Sequence, residues 1–140
     1  TVHSLGYFMA LCKNKMIFVS PKSLKMPAGI TEDLRSRGAE IEETEDVEKA
    51  LSVSDMVYVT RVQRERFEDP EEYEKVKGVY IINRTIIKKA KKGITILHPL
   101  PRVDEITTDV DDYKGAAYFR QAHNGLYVRM ALLALITGKA

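Results

Sequence analysis

The stretch Thr95-Ile96-Leu97-His98-Pro99-Leu100-Pro101-Arg102-Val103-Asp104-Glu105-Ile106 opens as a short apolar run and then breaks on two prolines around one leucine. Proline lacks a backbone N–H and has a fixed φ, so the segment loses two donors and keeps every carbonyl acceptor. Such a turn cannot continue a sheet, but it can hold carbonyl oxygens rigidly towards the N–H groups of a ligand. The structural alternative is a loop stiffened by proline for stability alone. A second stretch, Arg61-Val62-Gln63-Arg64-Glu65-Arg66, supplies the opposite chemistry. Guanidinium forks match carboxylates or phosphates two bonds at a time, and the Gln63 amide adds orientation without charge. At helical spacing Glu65 stands four residues from Arg61 and can orient it, while Arg66 points elsewhere. Alone, that stretch reads equally well as a solvated charged loop. Arginines for an anion, combined with proline-flanked carbonyls for an amine, describe a site for an amino acid or a similar zwitterion.

The elements that must position these stretches alternate. The spacing predicts a helix from Val2 to about Lys13, with Leu5, Phe8, Met9 and Cys12 on one stripe and Ser4 as a cap. Met16 to Ser20 reads as a strand buried on both faces, ended by Ser20-Pro21-Lys22. A helix from Ala28 to Arg37 stops at Gly38, and Glu40 to Glu43 forms a more polar strand. Thr44-Glu45-Asp46 opens a short helix, with acids where the helix dipole favours them. Asp55 to Thr60 is the third strand. Arg61 to Lys77 reads as a mobile loop with helical turns, and Val79 to Ile82 as a brief extended piece. A helix beginning at Asn83 or Thr85 ends in a lysine cluster closed by Gly93. Ile94 to His98 is the fourth strand, and a last helix runs from about Gln121 to Thr137. Helices alternating with short apolar strands predict an α/β fold, a doubly wound parallel sheet of about four to five strands with helices on both faces. Ligands of such sheets bind beyond the carboxyl ends of the strands, where Ser20, Arg61 and His98 all emerge. No Gly-x-Gly-x-x-Gly follows the first strand, so the dinucleotide fingerprint is absent.

Composition narrows the function classes. The chain has 140 residues, 44% hydrophobic and 30% charged, which suits one ordered globular domain over 1–140. A net charge of +2 and no basic stripe argue against nucleic acid. The single cysteine excludes an internal disulfide and a cysteine-rich zinc site, and Cys12 reads as a buried structural thiol. No apolar run reaches membrane-spanning length and no targeting peptide is visible, so a cytoplasmic protein is expected. The chain begins with Thr rather than Met, which agrees with a piece of something longer.

Thr60 to Arg66 and His98 to Ile106 resemble the two signature stretches of aspartate carbamoyltransferase catalytic chains. Thr1-Val2-His3-Ser4-Leu5 and Gln121-Ala122-His123-Asn124-Gly125-Leu126 agree with that family in the same order. The resemblance covers nearly the whole chain, but only the second, aspartate-binding half of such an enzyme. The Ser-Thr-Arg-Thr loop for carbamoyl phosphate is not in this sequence, nor is the arginine that the family places just before Thr1. The resemblance implies attack of the aspartate amino group on the carbamoyl carbon of carbamoyl phosphate, with no metal, cofactor or covalent enzyme intermediate. Arg61 and Gln63 would bind the aspartate carboxylates, with Thr1 assisting and Glu65 holding Arg61. The carbonyls of Pro99 and Leu100 would accept from the reacting nitrogens. Arg66 would reach an acidic residue of the missing domain on closure. It further implies a cis Leu100–Pro101 bond, a homotrimer of complete chains, with or without regulatory chains, and no activity in this piece alone. The last helix should then bury one apolar side on the sheet and the other on the missing domain. Phe67-Glu68-Asp69-Pro70 departs by one extra residue from some relatives, and the first helix-to-strand turn looks short. Two other readings stand beside this one. In an ornithine carbamoyltransferase a cysteine would occupy the place of Pro99, and a Ser-Met-Gly motif would occur. A non-catalytic amino-acid-binding module would need no second half.

Overall fold

The computed structural model describes residues 1–62, 67 and 69–139. It divides into two compact units, Thr1–Ala50 and Leu51–Ala140. In the first, helix α1 (Val2–Leu11) precedes strand β1 (Met16–Val19), helix α2 (Ala28–Ser36) and strand β2 (Ile41–Thr44). The strands are parallel, with Met16 opposite Ile41 and Val19 opposite Thr44. Helix α1 meets α2 at Gly6, where a β-carbon would stand 3.3 Å from Leu34 Cδ1. Leu34 is fully buried. The closest approach therefore needs the residue with no side chain.

That contact corrects the expected stripe. Val2, Leu5 and Met9 are half-buried around Gly6, while Phe8 is 60% exposed and Cys12 is exposed rather than buried. Thr1, not Ser4, is the N-cap residue; the Ser4 hydroxyl donates to the Thr1 carbonyl at 3.0 Å. Helix α1 also ends earlier than expected, because Lys13 takes φ +57 and Asn14 N–H donates back to the Met9 carbonyl. Gly38, at φ +84, ends α2 as its position predicts.

Helix α3 (Val47–Val53) runs across the division and is capped by Asp46 Oδ1, which accepts from Lys49 N–H at 2.9 Å. The second unit continues with β3 (Met56–Tyr58), α4 (Pro70–Val76), α5 (Arg84–Lys89), β4 (Thr95–Leu97) and α6 (Tyr118–Ile136). Strands β3 and β4 are parallel, with Tyr58 opposite Leu97. The fold class is α/β with parallel strands, but among the described residues hydrogen bonds join the four strands as two separate pairs rather than one ladder. The expected piece at Val79 to Ile82 contributes only a single bridge, Ile82 to Ile106. Another bridge, Ile96 to Ala116, flanks β4 on its second side. The core here comprises Ile94, Ile96, Ile106, Val110 and Tyr118, all at most 1% exposed.

Local chemistry explains most boundaries. Asp69 caps α4 through Glu71 N–H at 2.8 Å, with Pro70 in the first turn, so a full helix stands where isolated turns were expected. Asn83 caps α5 through Ile86 N–H at 3.0 Å. Gly93 lies beyond that helix and serves the turn into β4, where Ile94 N–H donates to the Lys91 carbonyl. Helix α6 starts at Tyr118, before the expected Gln121, because Ala117 N–H still pairs with the Ile96 carbonyl and Tyr118 drops straight into the core. Its apolar stripe does not pack on the strands along its length. Leu126, Met130, Leu133 and Ile136 are 53–80% exposed, as are Val128, Leu132 and Leu135 on the other side at 52–64%. Among the described residues no helix is long and apolar enough to cross a membrane.

Candidate functional site

Parallel pairing sends the ends of β3 and β4 the same way, so Val59-Thr60-Arg61 and His98-Pro99-Leu100 leave one edge of the second unit. Val59 N–H still donates to the Leu97 carbonyl at 2.9 Å, which carries the pairing to the mouth of the site. Arg61 is half-buried there. Pro99 is exposed, Leu100 is half-buried at φ +56, and the Leu100–Pro101 bond is cis as expected. Among the described residues neither the Pro99 nor the Leu100 carbonyl accepts a hydrogen bond. The turn thus sets two carbonyl acceptors at the strand end.

A groove of ≈ 630 Å³ runs beside this turn, between the ends of β3 and β4 and the first turns of α6. Tyr58, Leu97, Pro99, Arg120, Gln121 and Arg129 are among its walls. Gln121 braces it: its Oε1 accepts from His98 N–H at 3.0 Å. Burial pushes the Tyr58 pKa up, with the Gln121 side chain acting against that rise.

The next residue, Arg102, is committed to structure. Its Nη2 donates to Asp111 Oδ2 at 2.7 Å, Nη1 bonds Asp111 Oδ1, and the guanidinium lies over the Tyr118 ring at 5.3 Å. Tyr118 completes the cluster by donating to Asp111 Oδ1 at 2.5 Å. The Arg102 bond holds the Asp111 carboxyl below its usual range, against burial, with Tyr118 assisting. Burial, then the Asp111 carboxylate, pushes Tyr118 up to about 12. The folded state thus holds this proton more tightly than an unfolded tyrosine near 10 does. Its stabilising effect is complete below pH about 10 and is lost as pH rises towards about 12. Urea unfolding across that window should show a steep loss for the native chain and a shallower one for Tyr118→Phe. Parallel pH profiles would rule out Tyr118 as the titrating group.

Of the residues expected at the site, Arg61, Pro99 and Leu100 share one strand edge. Thr1 is the exposed N-cap residue of α1 in the other unit. Gln63, Glu65 and Arg66 lie outside the described residues. Sequence reasoning missed two buried groups, His98 and Glu105, whose side chains meet at 2.6 Å. A signal existed: a histidine directly before the prolines, and a glutamate followed by an apolar residue that pairs into the core. Among the described residues no three His, Cys, Asp or Glu side chains converge as a metal site requires.

Residues 1–136 match the family described as aspartate/ornithine carbamoyltransferase, Asp/Orn binding domain. The chain belongs to the aspartate/ornithine carbamoyltransferase family. It is 54% identical over 139 residues to the aspartate carbamoyltransferase catalytic subunit of Methanopyrus kandleri, a match covering 99% of this chain and 45% of that protein. The solved catalytic subunit of M. jannaschii aspartate transcarbamoylase superposes with a TM-score of 0.85 at 50% identity, over 98% of this chain and 45% of that one. The Trypanosoma cruzi aspartate transcarbamoylase, solved in complex with carbamoyl phosphate and aspartate, gives 0.83 at 35% identity, over 95% and 45%. This carbamoyltransferase-family chain therefore spans a little under half the length of these relatives.

Proposed function

We propose that the chain is the aspartate-binding half of an aspartate carbamoyltransferase of pyrimidine biosynthesis. The complete enzyme transfers the carbamoyl group of carbamoyl phosphate to the amino group of L-aspartate, giving N-carbamoyl-L-aspartate and phosphate. The observation that carries this reading is the Pro99-Leu100-Pro101 turn. Its two carbonyls accept no hydrogen bond among the described residues, and they stand at the strand edge from which Arg61 emerges. An amine that must lose a proton and gain a carbonyl substituent is well served by acceptors alone, and a dicarboxylate by guanidinium and amide donors. Arg61 and Gln63 take the carboxylates with Thr1, Glu65 orients Arg61, and Arg66 serves domain closure. Catalysis on this reading is the positioning of two anionic substrates with electrostatic stabilisation. Pro99, where an ornithine enzyme would carry cysteine, favours aspartate over ornithine.

The remaining half would be an N-terminal carbamoyl phosphate domain, in a cytoplasmic homotrimer of complete chains. The apolar face of α6, open at Leu126, Met130 and Leu133, supports such a neighbour. Complete enzyme given carbamoyl phosphate should form N-carbamoyl-aspartate from aspartate and no citrulline from ornithine. The 140-residue chain alone should show no turnover and should self-associate on sizing columns. Citrulline formation, or sustained turnover by the isolated chain, would overturn the assignment.

A further inference from the structure

Leu100 carries the only backbone N–H in Pro99-Leu100-Pro101, and that N–H donates to His98 Nδ1 at 2.8 Å. A ring nitrogen accepts only when it has no proton, so the proton of neutral His98 sits on Nε2. Nε2 lies 2.6 Å from Glu105 Oε1 and donates to it. Both residues are enclosed, His98 at 1% exposure and Glu105 at 7%. Glu105 is itself held from several directions. Its carboxylate accepts from Val103 N–H at 3.3 Å and Asp104 N–H at 3.2 Å, and its carbonyl accepts from Ile82 N–H at 2.9 Å. The imidazole is thus anchored at Nε2 so that Nδ1 can hold a peptide unit on the far side. That peptide unit needs holding, because Leu100 has φ +56, a region costly for a residue with a branched side chain.

We infer that His98, oriented by Glu105, is a positioning residue that clamps the Leu100 peptide so that the Pro99 and Leu100 carbonyls are presented together to the substrate amine. The inference rests on the aspartate-binding reading above. The opposite tautomer would set a proton on Nδ1 against the Leu100 N–H and release the clamp, so the Glu105 contact matters through the tautomer it selects.

Two substitutions separate this role from a purely structural one. His98→Asn keeps a short-reach acceptor for the Leu100 N–H but abandons Glu105. His98→Gln reaches Glu105 with a donor but abandons Leu100. Amide exchange at Leu100, followed by NMR on the 140-residue chain, should stay slow in the native chain and His98→Asn and become fast in His98→Gln. In the complete enzyme, His98→Gln should raise the aspartate KM by about tenfold or more, and His98→Asn by about threefold or less, with the carbamoyl phosphate KM unchanged in both. His98→Asn should nevertheless have the lower Tm, because it leaves the buried Glu105 without its ring partner. A purely structural histidine orders activity as it orders Tm, with Asn the worse. That order, or equal Leu100 exchange in the two variants, would overturn the inference. If His98→Asn does not fold, His98→Gln compared with the native chain carries the test, because it alone removes the acceptor of the Leu100 N–H. Faster exchange at Leu100, with the neighbouring amides of β4 unchanged, is expected, and native-like exchange at Leu100 would overturn the clamp. A native complete enzyme that does not carbamoylate aspartate would overturn the functional reading, while Leu100 exchange still decides the clamp by itself.

Discussion

Arg61→Ala in the complete enzyme should lower kcat/KM for aspartate by about ten- to a hundredfold, with carbamoyl phosphate saturation nearly unchanged. Losing a charge-assisted contact to a bound anion costs roughly 1.5–3 kcal/mol, which sets that range. The expectation comes from placement. Arg61 follows β3 closely, β3 is parallel to β4, and Pro99 follows β4, so guanidinium and carbonyls issue from one edge. Arg61→Lys should recover only part of the loss, because an ammonium replaces a two-pronged fork with a point charge. Gln63→Ala should also weaken aspartate saturation, by less, since a neutral amide is lost. Steady-state kinetics with varied aspartate decides the matter. Native saturation and turnover in both alanine variants would remove the carboxylate site from this edge.

Gly115→Ala should destabilise the chain by about 3 kcal/mol or more, near the upper end for a single overpacked site. A β-carbon at Gly115 would sit 2.1 Å from the Ile94 carbonyl oxygen and 2.5 Å from Tyr113 Cε1. The ring edge can yield, but the carbonyl belongs to the buried backbone that leads into β4. The same glycine's own carbonyl accepts from Ile96 N–H at 2.8 Å, and Ala117 N–H donates to the Ile96 carbonyl at 2.9 Å. Relieving the clash means moving one flank of β4, the strand from which the proline turn hangs. The variant should therefore lose aspartate binding in step with stability. Urea midpoints of the two proteins test this, and equal midpoints would mean that the close approach does not exist in solution.

The sequence by itself determined the features that depend on neighbours along the chain. Strands in a parallel sheet are apolar runs, so Met16 to Val19 and Thr95 to Leu97 could be placed within a residue or so. Asn83 and Gly38 marked helix ends because capping and left-handed turns are local chemistry. The acceptor-rich character of Pro99-Leu100-Pro101 followed from proline's missing N–H alone. The family signatures extended that reading to substrate and reaction.

What the tertiary structure decided concerns which groups meet. Periodicity makes α1 apolar, but only its approach to α2 turns Gly6 inward and leaves Phe8 and Cys12 outside. The start of α6 moved to Tyr118 because pairing of Ala117 with Ile96, a contact remote in sequence, delivers the chain there. Arg102 directly follows the prolines, yet Asp111 and Tyr118 occupy it from the next turn and helix. His98 and Glu105 could not be read as a pair, because the turn between them must fold before a ring nitrogen can face Leu100 and its opposite nitrogen a carboxylate. Hydrogen bonds act over about 3 Å, so side chains far apart along the chain share one only when folding closes the distance between them.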